Sequence, residues 1–263
     1  MKTLGFSIQH SSFMRADLFD AYFSIVPAYS GPMLEEVFRL RHQVYCEELG
    51  FEPQRASRLE HDEYDKRSVH CLLLHKATKT YIGCSRLILA DPQKPEAPFP
   101  FESACGKSLR WRFDSSAGAG REGYGEISRL AIIAKFRRIP RTEEVAVADR
   151  AGEDFYDGDE DERHLFPTIS LGLYLAMTAM VLDRGLDGVF AMMEPRLARR
   201  LRRLGILFEQ VGEAVEHHGL RGPFLIHCHS ILNTLKPDCL ALLGKIQNTL
   251  DMHHAQQGDL ALA

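Results

Sequence analysis

The sequence contains neither a long apolar run nor a paired cysteine motif. Its longest apolar stretch, residues 171–182, is interrupted by Thr178 and is too short to cross a bilayer. The first residues lack the basic stretch followed by an apolar stretch that marks a secretory signal. Six cysteines occur without CxxC spacing, which is typical of reduced thiols. We therefore expect a cytoplasmic protein and leave peripheral contact with a membrane open.

Motifs for metal binding and for nucleophilic catalysis are also missing. Asp157, Asp159 and Asp161 alternate as in calcium loops, but the glycine and the distal glutamate of such loops are absent. His227 and His229 share one face of a predicted strand, yet no second ligand pair has zinc-like spacing. No Ser-His-Asp or Cys-His pattern stands out. The sequence therefore predicts no metal site.

Charge of one sign does not dominate the chain. The 263 residues are 45% hydrophobic and 26% charged, and the net charge is -4. This composition is ordinary for a globular protein with a substantial core, and it gives no general attraction to nucleic acid. Charge is uneven locally, because residues 153–162 are acidic and residues 196–203 are basic.

Hydrophobic periodicity and turn residues predict an alternation of strands and helices. The predicted strands are 22–29, 69–75, 81–90, 125–134, 186–193, 206–211 and 223–229. The predicted helices are 30–49, 167–184, 195–204 and 237–252. Residues 138–166 form a polar, acidic insertion that we expect to be flexible.

The order of these elements predicts an α/β (α+β) fold. Early strands joined by short turns are typical of antiparallel hairpins, whereas the helix at 167–184 connects two strands in the manner of a parallel crossover. We expect a three-layer fold with a mostly antiparallel central sheet and one βαβ unit. The chain is predicted to be a single domain over 1–263, with a C-terminal helix at about 237–252.

Arginines stand inside apolar elements, where an unpaired charge is costly. Arg86 and Arg129 lie in predicted strands, and Arg41 falls on the apolar face of the helix at 30–49. Asp62, Asp65 and Glu126 are available as acidic partners. Such charges belong either to a functional site or to a structural ion network, and the sequence leaves both open.

The spacing of these residues resembles acyl-homoserine-lactone synthases, which have the GNAT acyltransferase fold. Phe38 to Phe51 is similar to the opening motif of that family, with Arg41, Tyr45 and Phe51 at its arginine and aromatic positions. Asp62 and Asp65 match its acidic pair. Residues 83–87 match its Gly-x-x-Arg-Leu motif, and residues 126–129 match its Glu-x-Ser-Arg motif. The resemblance covers residues 34–134.

The C-terminal half departs from those synthases. Residues 193–197, 203–206 and 218–223 are more similar to the N-acyl amino acid synthases. They resemble still more the acyltransferases associated with bacterial exosortase (PEP-CTERM) gene sets.

The resemblance implies amide formation at a bulge in the fourth strand. Strict alternation would place Glu126 and Arg129 on opposite faces, so a bulge near 126–129 would bring both to one site. Glu126 is the candidate general base, with Arg86 and Arg129 as its catalytic companions. Its pKa is raised if burial dominates and lowered if the arginines dominate; the sequence does not decide between these. The predicted acceptor-binding residues are Arg41, Tyr45, Phe51, Asp62, Asp65 and Trp111.

The donor implied by the resemblance is an acyl thioester. Residues 135–141 after the fourth strand carry no glycine, which disfavours the pyrophosphate loop of enzymes that use coenzyme A. We expect acyl carrier protein as the partner and no cofactor beyond the acyl-phosphopantetheine thioester. Its predicted contacts are Arg137, Arg138, Arg199, Arg200 and Arg203. The predicted acyl-chain contacts are Leu173, Met177, Met180 and Met192.

The expected function is transfer of a fatty acyl group from acyl carrier protein to the amine of a small amino acid-like acceptor. Two alternatives remain: lactone formation from S-adenosylmethionine, and a protein that binds an acyl chain or carrier without turnover. An open split between strands four and five, with Glu126 at its mouth, would favour the enzyme.

Overall fold

The computed structural model describes residues 9–113, 120–137 and 166–261. Its helices are α1 (Gln9–Tyr22), α2 (Gly31–Arg41), α3 (Pro100–Cys105), α4 (Ala134–Arg137), α5 (Phe166–Asp183), α6 (Pro195–Arg202), α7 (Cys228–Thr234) and α8 (Pro237–Ala261). Its strands are β1 (Phe23–Pro27), β2 (Ser68–His75), β3 (Thr80–Leu89), β4 (Tyr124–Ile132), β5 (Gly188–Met193), β6 (Glu209–Gln210), β7 (Val215–Glu216) and β8 (Leu220–His227).

The described strands form a mostly antiparallel sheet in the order β1-β2-β3-β4-β5-β8-β6, with β7 paired to β8. Neighbours along this order are antiparallel except β4 and β5, which are parallel. Helix α5 lies between these two strands in sequence, so together they form the predicted βαβ crossover. The predicted fold class, a GNAT-type mixed α/β fold, is confirmed.

Apolar residues cover both faces of the sheet. In β2, Cys71 and Leu73 join the core beneath α5, whereas Leu72 points to the opposite face and packs with Val37 of α2. This division follows from the two-residue period of a strand. Helix α5 is apolar around its whole circumference because α1 and α8 also cover it.

Helix α2 continues beyond Arg41 into a π-helical turn over His42–Glu48. Its backbone bonds are wider than those of an α-helix, as in the bond from the Leu49 N–H to the Val44 carbonyl. The predicted helix at 30–49 is therefore confirmed in extent but consists of two kinds of helix. The turn places Tyr45 toward β4.

Several predicted boundaries are wrong. The strand expected at 206–211 shrinks to Glu209–Gln210, because Ile206 and Phe208 pack into the core without pairing. The strand expected at 223–229 runs from Leu220 to His227, and His229 lies in α7, so the two histidines do not share a strand face. Helices α1, α3, α4 and α7 were not expected; α1 has little amphipathic pattern.

The acidic insertion predicted at 138–166 lies outside the described residues except for Phe166, which begins α5. Within the described ranges, no helix is both long and apolar enough to span a membrane.

Candidate active site

Strand β4 contains a bulge at the position that the Glu-x-Ser-Arg motif occupies. Against β3, Arg86 pairs with Ser128 and Cys84 pairs with Ala131, so three steps along β4 match two along β3. Arg129 has a φ of 51°, in the left-handed region. The expected bulge is confirmed, with its extra residue just after Ser128.

Strands β4 and β5 separate at the bulge. Their pairing ends at Ile127 and Ala191, although β4 continues to Ile132 and β5 to Met193. Past Ile127, the backbone groups of β4 that face β5 therefore have no partner in that strand. Free N–H groups of this kind can stabilise an oxyanion. This is the split that the sequence analysis associated with an enzyme.

A cavity of about 230 Å³ lies at this split. Its wall includes Glu126 and Arg129, so the bulge places both motif residues in one cavity. The other predicted site residues in its wall are Tyr45, Phe51, Asp62, Arg86 and Met192.

The buried arginines are held by an ion network beside the cavity. The Arg41 Nε donates to Glu60, and its Nη1 lies 2.7 Å from the Asp65 Oδ1. The Arg86 Nη1 lies 2.6 Å from the Asp62 Oδ1 and 2.8 Å from the Asp65 Oδ1. Arg41 is fully buried, and Arg86 is 1% exposed.

Arg129 joins this network from the bulge. Its Nη2 lies 3.0 Å from the Glu52 Oε1 and 3.2 Å from the Glu60 Oε1. Burial alone would raise the pKa of the Glu60 carboxyl, but the hydrogen bonds and charges of Arg41 and Arg129 outweigh it and lower that pKa. Glu60 is thus an ionised, buried partner that was not predicted, although it lies only two residues before Asp62.

Asp65 is ionised for the same reason. The charges and hydrogen bonds of Arg41 and Arg86 overcome the burial of Asp65 and lower the pKa of its carboxyl. Asp62 and Asp65 also form a capping box for the turn at 63–67, in which Asp62 accepts from the Tyr64 N–H and Asp65 from the Asp62 N–H. The aspartates therefore fix the arginines and the loop together.

Glu126 stands apart from the network. Within the described chain it forms no ion pair, and its Oε2 accepts the Phe101 N–H at 3.0 Å. Burial raises the pKa of Glu126 to about 8, because the opposing effects of the Phe101 hydrogen bond, Arg86 and Arg129 are weaker. Whether Glu126 is a base or an ion partner of the strand arginines was left open; within the described residues it forms no such ion pair, and of the two alternatives for its pKa, burial dominates.

The predicted aromatic residues contact the cavity from the π-helical turn and from the residues just after it. The Tyr45 hydroxyl donates to the Leu130 carbonyl at 2.8 Å, and the Arg129 guanidinium lies 5.5 Å from the Tyr45 ring centroid. Burial raises the pKa of Tyr45, so its hydroxyl stays protonated. Phe51 stacks on His218 with ring centroids 4.9 Å apart.

Trp111 does not line this cavity. It lines a neighbouring cavity with Phe113 and Arg121, and its ring packs edge-on against Tyr124 and Phe190. The backbone N–H groups of Arg110 and Trp111 both donate to the Val211 carbonyl, which fixes the position of the loop that carries the indole. Trp111 therefore lies outside this cavity, and its expected role in acceptor binding stays a prediction.

The residues predicted to contact the acyl chain separate into two groups. Leu173 and Met177 are fully buried between α5 and the sheet, and Met180 faces a cavity near Tyr29 and α8. None of these three lines the split, because the apolar face of α5 is used as core. Met192 does line it, and its sulfur lies 3.4 Å from the Cys105 Sγ.

Of the five residues predicted to contact a carrier protein, three are exposed, one forms an ion pair and one lies outside the described residues. Arg199, Arg200 and Arg203 are exposed on α6 and at its end. Arg137 pairs with Glu48 at 2.5 Å, and Arg138 lies outside the described residues.

The hairpin of β7 and β8 contributes cavity residues that the sequence analysis did not assign. His217, His218 and Arg221 line the cavity together with Tyr45 and Arg129. The His-His-Gly-Leu-Arg run was a visible signal, but its distance in sequence from the β4 motif concealed its role.

Comparison with known proteins agrees with this architecture. A family model described as an acetyltransferase (GNAT) domain matches residues 40–145, which include the β3 and β4 motifs. A search of curated proteins gave no match.

Solved synthase structures share the fold. The acyl-homoserine-lactone (AHL) synthase LasI is 17% identical with a TM-score of 0.55, and the match covers 81% of this chain and 94% of LasI. The CoA-dependent acyl-homoserine lactone synthase BjaI, solved with SAM and isopentyl-CoA, is 20% identical with a TM-score of 0.53, covering 86% of this chain and 89% of BjaI.

FeeM, an N-acyl amino acid synthase from uncultured soil microbes, is 11% identical with a TM-score of 0.53, covering 81% of this chain and 94% of FeeM. At these identities the likeness concerns the fold. The GNAT domain match and the fold together support an acyltransferase.

Proposed function

We propose that this chain is an N-acyltransferase that moves a fatty acyl group from acyl carrier protein to the amine of a small amino acid-like acceptor. One observation carries the proposal. Glu126, a buried carboxyl with a pKa raised to about 8, lies in the cavity where β4 and β5 separate. A general base works best when its pKa is near the working pH.

The chemistry needs a base because the acceptor arrives as an ammonium. Glu126 removes one proton, and the free amine nitrogen attacks the thioester carbonyl. The C–N bond forms, the C–S bond breaks, and the leaving thiolate takes the second nitrogen proton. Backbone N–H groups freed at the bulge are suited to stabilise the oxyanion.

Arg86 and Arg129 contribute to this reaction by holding the bulged segment of β4 in place. Arg86 donates from its Nε to the Ser128 Oγ at 3.0 Å, on the segment that forms the bulge. Arg129 links that segment to Glu52 and Glu60. The arginines thus fix the bulge beside Glu126, and the ion network and the active site are one assembly.

Acyl carrier protein is the preferred donor for two reasons. No glycine-rich pyrophosphate loop follows β4 in the sequence, and Arg199, Arg200 and Arg203 form an exposed basic surface on α6. Such a surface suits an acidic partner. Association with exosortase gene sets, a cytoplasmic location and single-domain organisation stay predictions.

The direct experiment is incubation with acyl carrier protein carrying medium and long acyl chains, in parallel with the matching acyl-CoA. The acceptors are a pool of amino acids and S-adenosylmethionine, and products are read by mass spectrometry. We expect acylated amino acids with the carrier-bound donor. Lactone products would favour the synthase alternative. No acylated product from either donor would contradict transferase activity.

The role of Glu126 is tested by the pH dependence of kcat. At pH 7 roughly a tenth of a group with a pKa of about 8 is ionised, so the wild-type rate should rise about tenfold toward pH 9. Glu126→Gln should lower kcat about 100-fold or more. The rate of this variant should rise with pH only as far as deprotonation of the acceptor amine itself raises it. Glu122→Gln, at an exposed position before β4, is the control. Equal pH profiles for Glu126→Gln and wild type would exclude Glu126 as the base.

A further inference from the structure

Arg221 is a cavity-lining cation without a protein counter-ion in the described chain. Its Nε is fully buried and has no hydrogen-bond partner, and no described carboxylate lies within ion-pair distance. Arg41, Arg86 and Arg129 each meet at least two carboxylates. Removing part of a guanidinium from water without a partner is costly.

The β7–β8 hairpin holds Arg221 at the cavity. Val215 pairs with Arg221, and Glu216 pairs with Leu220. The turn between them is closed by the His217 N–H donating to the Gly219 carbonyl at 3.0 Å. Gly219 has a φ of 95°, which favours glycine at this turn.

A stack of rings fixes the guanidinium further. Phe51 lies against His218 on one side, and the Arg221 guanidinium is 6.0 Å from the Phe51 ring centroid. The contact is of the cation–π kind, which orients an arginine but does not neutralise it. The position of Arg221 is therefore built by two elements that are far apart in sequence.

The other charges of the cavity do not compensate Arg221. Glu52 forms an ion pair with Arg129, and Asp62 forms ion pairs with Arg86 and Arg129. Glu126 is mostly protonated at neutral pH because burial raises its pKa to about 8. Among the arginines of the cavity wall, Arg86 and Arg129 are thus paired with carboxylates, whereas Arg221 is not and can take an anion from the ligand.

We propose that Arg221 binds the carboxylate of the acceptor, so that the enzyme acylates free amino acids and discriminates against amines without an anionic group. This rests on the proposed function for the identity of the site as the acceptor site. The guanidinium can hold a carboxylate through two parallel hydrogen bonds. The cavity of about 230 Å³ is below the roughly 300 Å³ at which sites for drug-sized ligands begin, which suits a small acceptor.

The anion could instead be the phosphate of the donor's phosphopantetheine, and the two sources are separable. The first measurement needs no turnover: the unfolding temperature of the full chain is recorded with free amino acids and with the corresponding amino acid amides. Wild type should be stabilised by a carboxylate-bearing acceptor and not by its amide. Arg221→Gln should lose that stabilisation, with a Kd increased about 10- to 100-fold.

Arg39→Gln is the matched control, because Arg39 is exposed on α2 and pairs with Glu35 and Glu36. Arg221→Lys keeps the positive charge and should retain part of the affinity. That result would show that Arg221→Gln loses affinity because the charge is missing and not because the variant is misfolded. Equal stabilisation by acids and amides, equal stabilisation of Arg221→Gln and wild type, or no stabilisation by any amino acid would each overturn the proposal.

Kinetics then assign the anion where turnover is found. Arg221→Gln should raise the KM for the amino acid and leave the KM for the acyl donor unchanged. A raised donor KM with an unchanged acceptor KM would place the phosphate at Arg221 and overturn the proposal. Absence of turnover with intact, carboxylate-dependent binding would contradict the transferase function while leaving the role of Arg221 standing.

Discussion

Two buried glutamates of this protein have opposite pKa shifts. Glu60 is ionised because Arg41 and Arg129 contact it directly. Glu126 is equally buried, but its contact is a neutral backbone N–H, so its pKa is raised to about 8. Burial favours the neutral form of a carboxyl unless a cation lies within hydrogen-bond distance. The contrast separates a structural carboxylate from a candidate base.

Arg41→Ala tests the structural half of this contrast. It would leave Glu60 and Asp65 without their shared cation in the interior, so we expect a loss of about 3–5 kcal/mol in the free energy of unfolding. Urea unfolding followed by the fluorescence of Trp111, the single tryptophan, measures it. Arg39→Ala removes an exposed pair and should cost less than about 1 kcal/mol. Equal losses for the two variants would contradict the assignment.

At the scale of elements, the site depends on two irregularities that meet. The π-helical turn after α2 and the bulge in β4 are joined by the bond from the Tyr45 hydroxyl to the Leu130 carbonyl. Each irregularity leaves backbone groups without their regular partners, and the tyrosine satisfies one of them. A regular helix or a regular strand would separate these groups.

Tyr45→Phe should therefore weaken both elements. The variant removes the hydroxyl and leaves the Leu130 carbonyl unsatisfied, with an expected loss of about 1 kcal/mol in stability. We also expect a lower kcat, because the bulge that holds Arg129 beside Glu126 becomes less rigid. Urea titration and steady-state kinetics on the same preparation measure both. Unchanged stability with unchanged kcat would show that the bulge does not depend on Tyr45.

At the scale of the whole molecule, buried titratable groups give stability a maximum in pH. The pKa of Glu126 rises from 4.5 to about 8 on folding, so the stability it contributes is full below 4.5 and is lost as pH rises through 8. Burial lowers the pKa of His70 from 6.5 to about 4, so its contribution is full above 6.5 and is lost as pH falls through 4.

Glu126→Gln should remove the alkaline part of this dependence. Between pH 4.5 and 8 the wild type should lose up to roughly 1.4 kcal/mol per pH unit relative to the variant, since one proton leaves the unfolded chain but not the folded one. Urea unfolding of both proteins at several pH values measures the difference. A constant difference across this window would contradict a raised pKa for Glu126.

The strands, the crossover helix α5 and the positions of Arg41, Arg86 and Arg129 were determined by the sequence, because periodicity and turn residues act over short segments. The bulge in β4 was expected from the family resemblance of its motif and not from periodicity. The observed boundaries differ from the predicted ones where apolar residues such as Ile206 and Phe208 enter the core without pairing.

The tertiary structure alone decided which charges meet. Arg129 reaches Glu60 across 69 positions of sequence, and Tyr45 reaches Leu130 across 85. Electrostatic shifts depend on distances of a few ångströms, which no local pattern fixes. For that reason the sequence supplied Glu126 as a candidate, whereas folding determined its raised pKa, moved Trp111 to another cavity and brought Arg221 to the site.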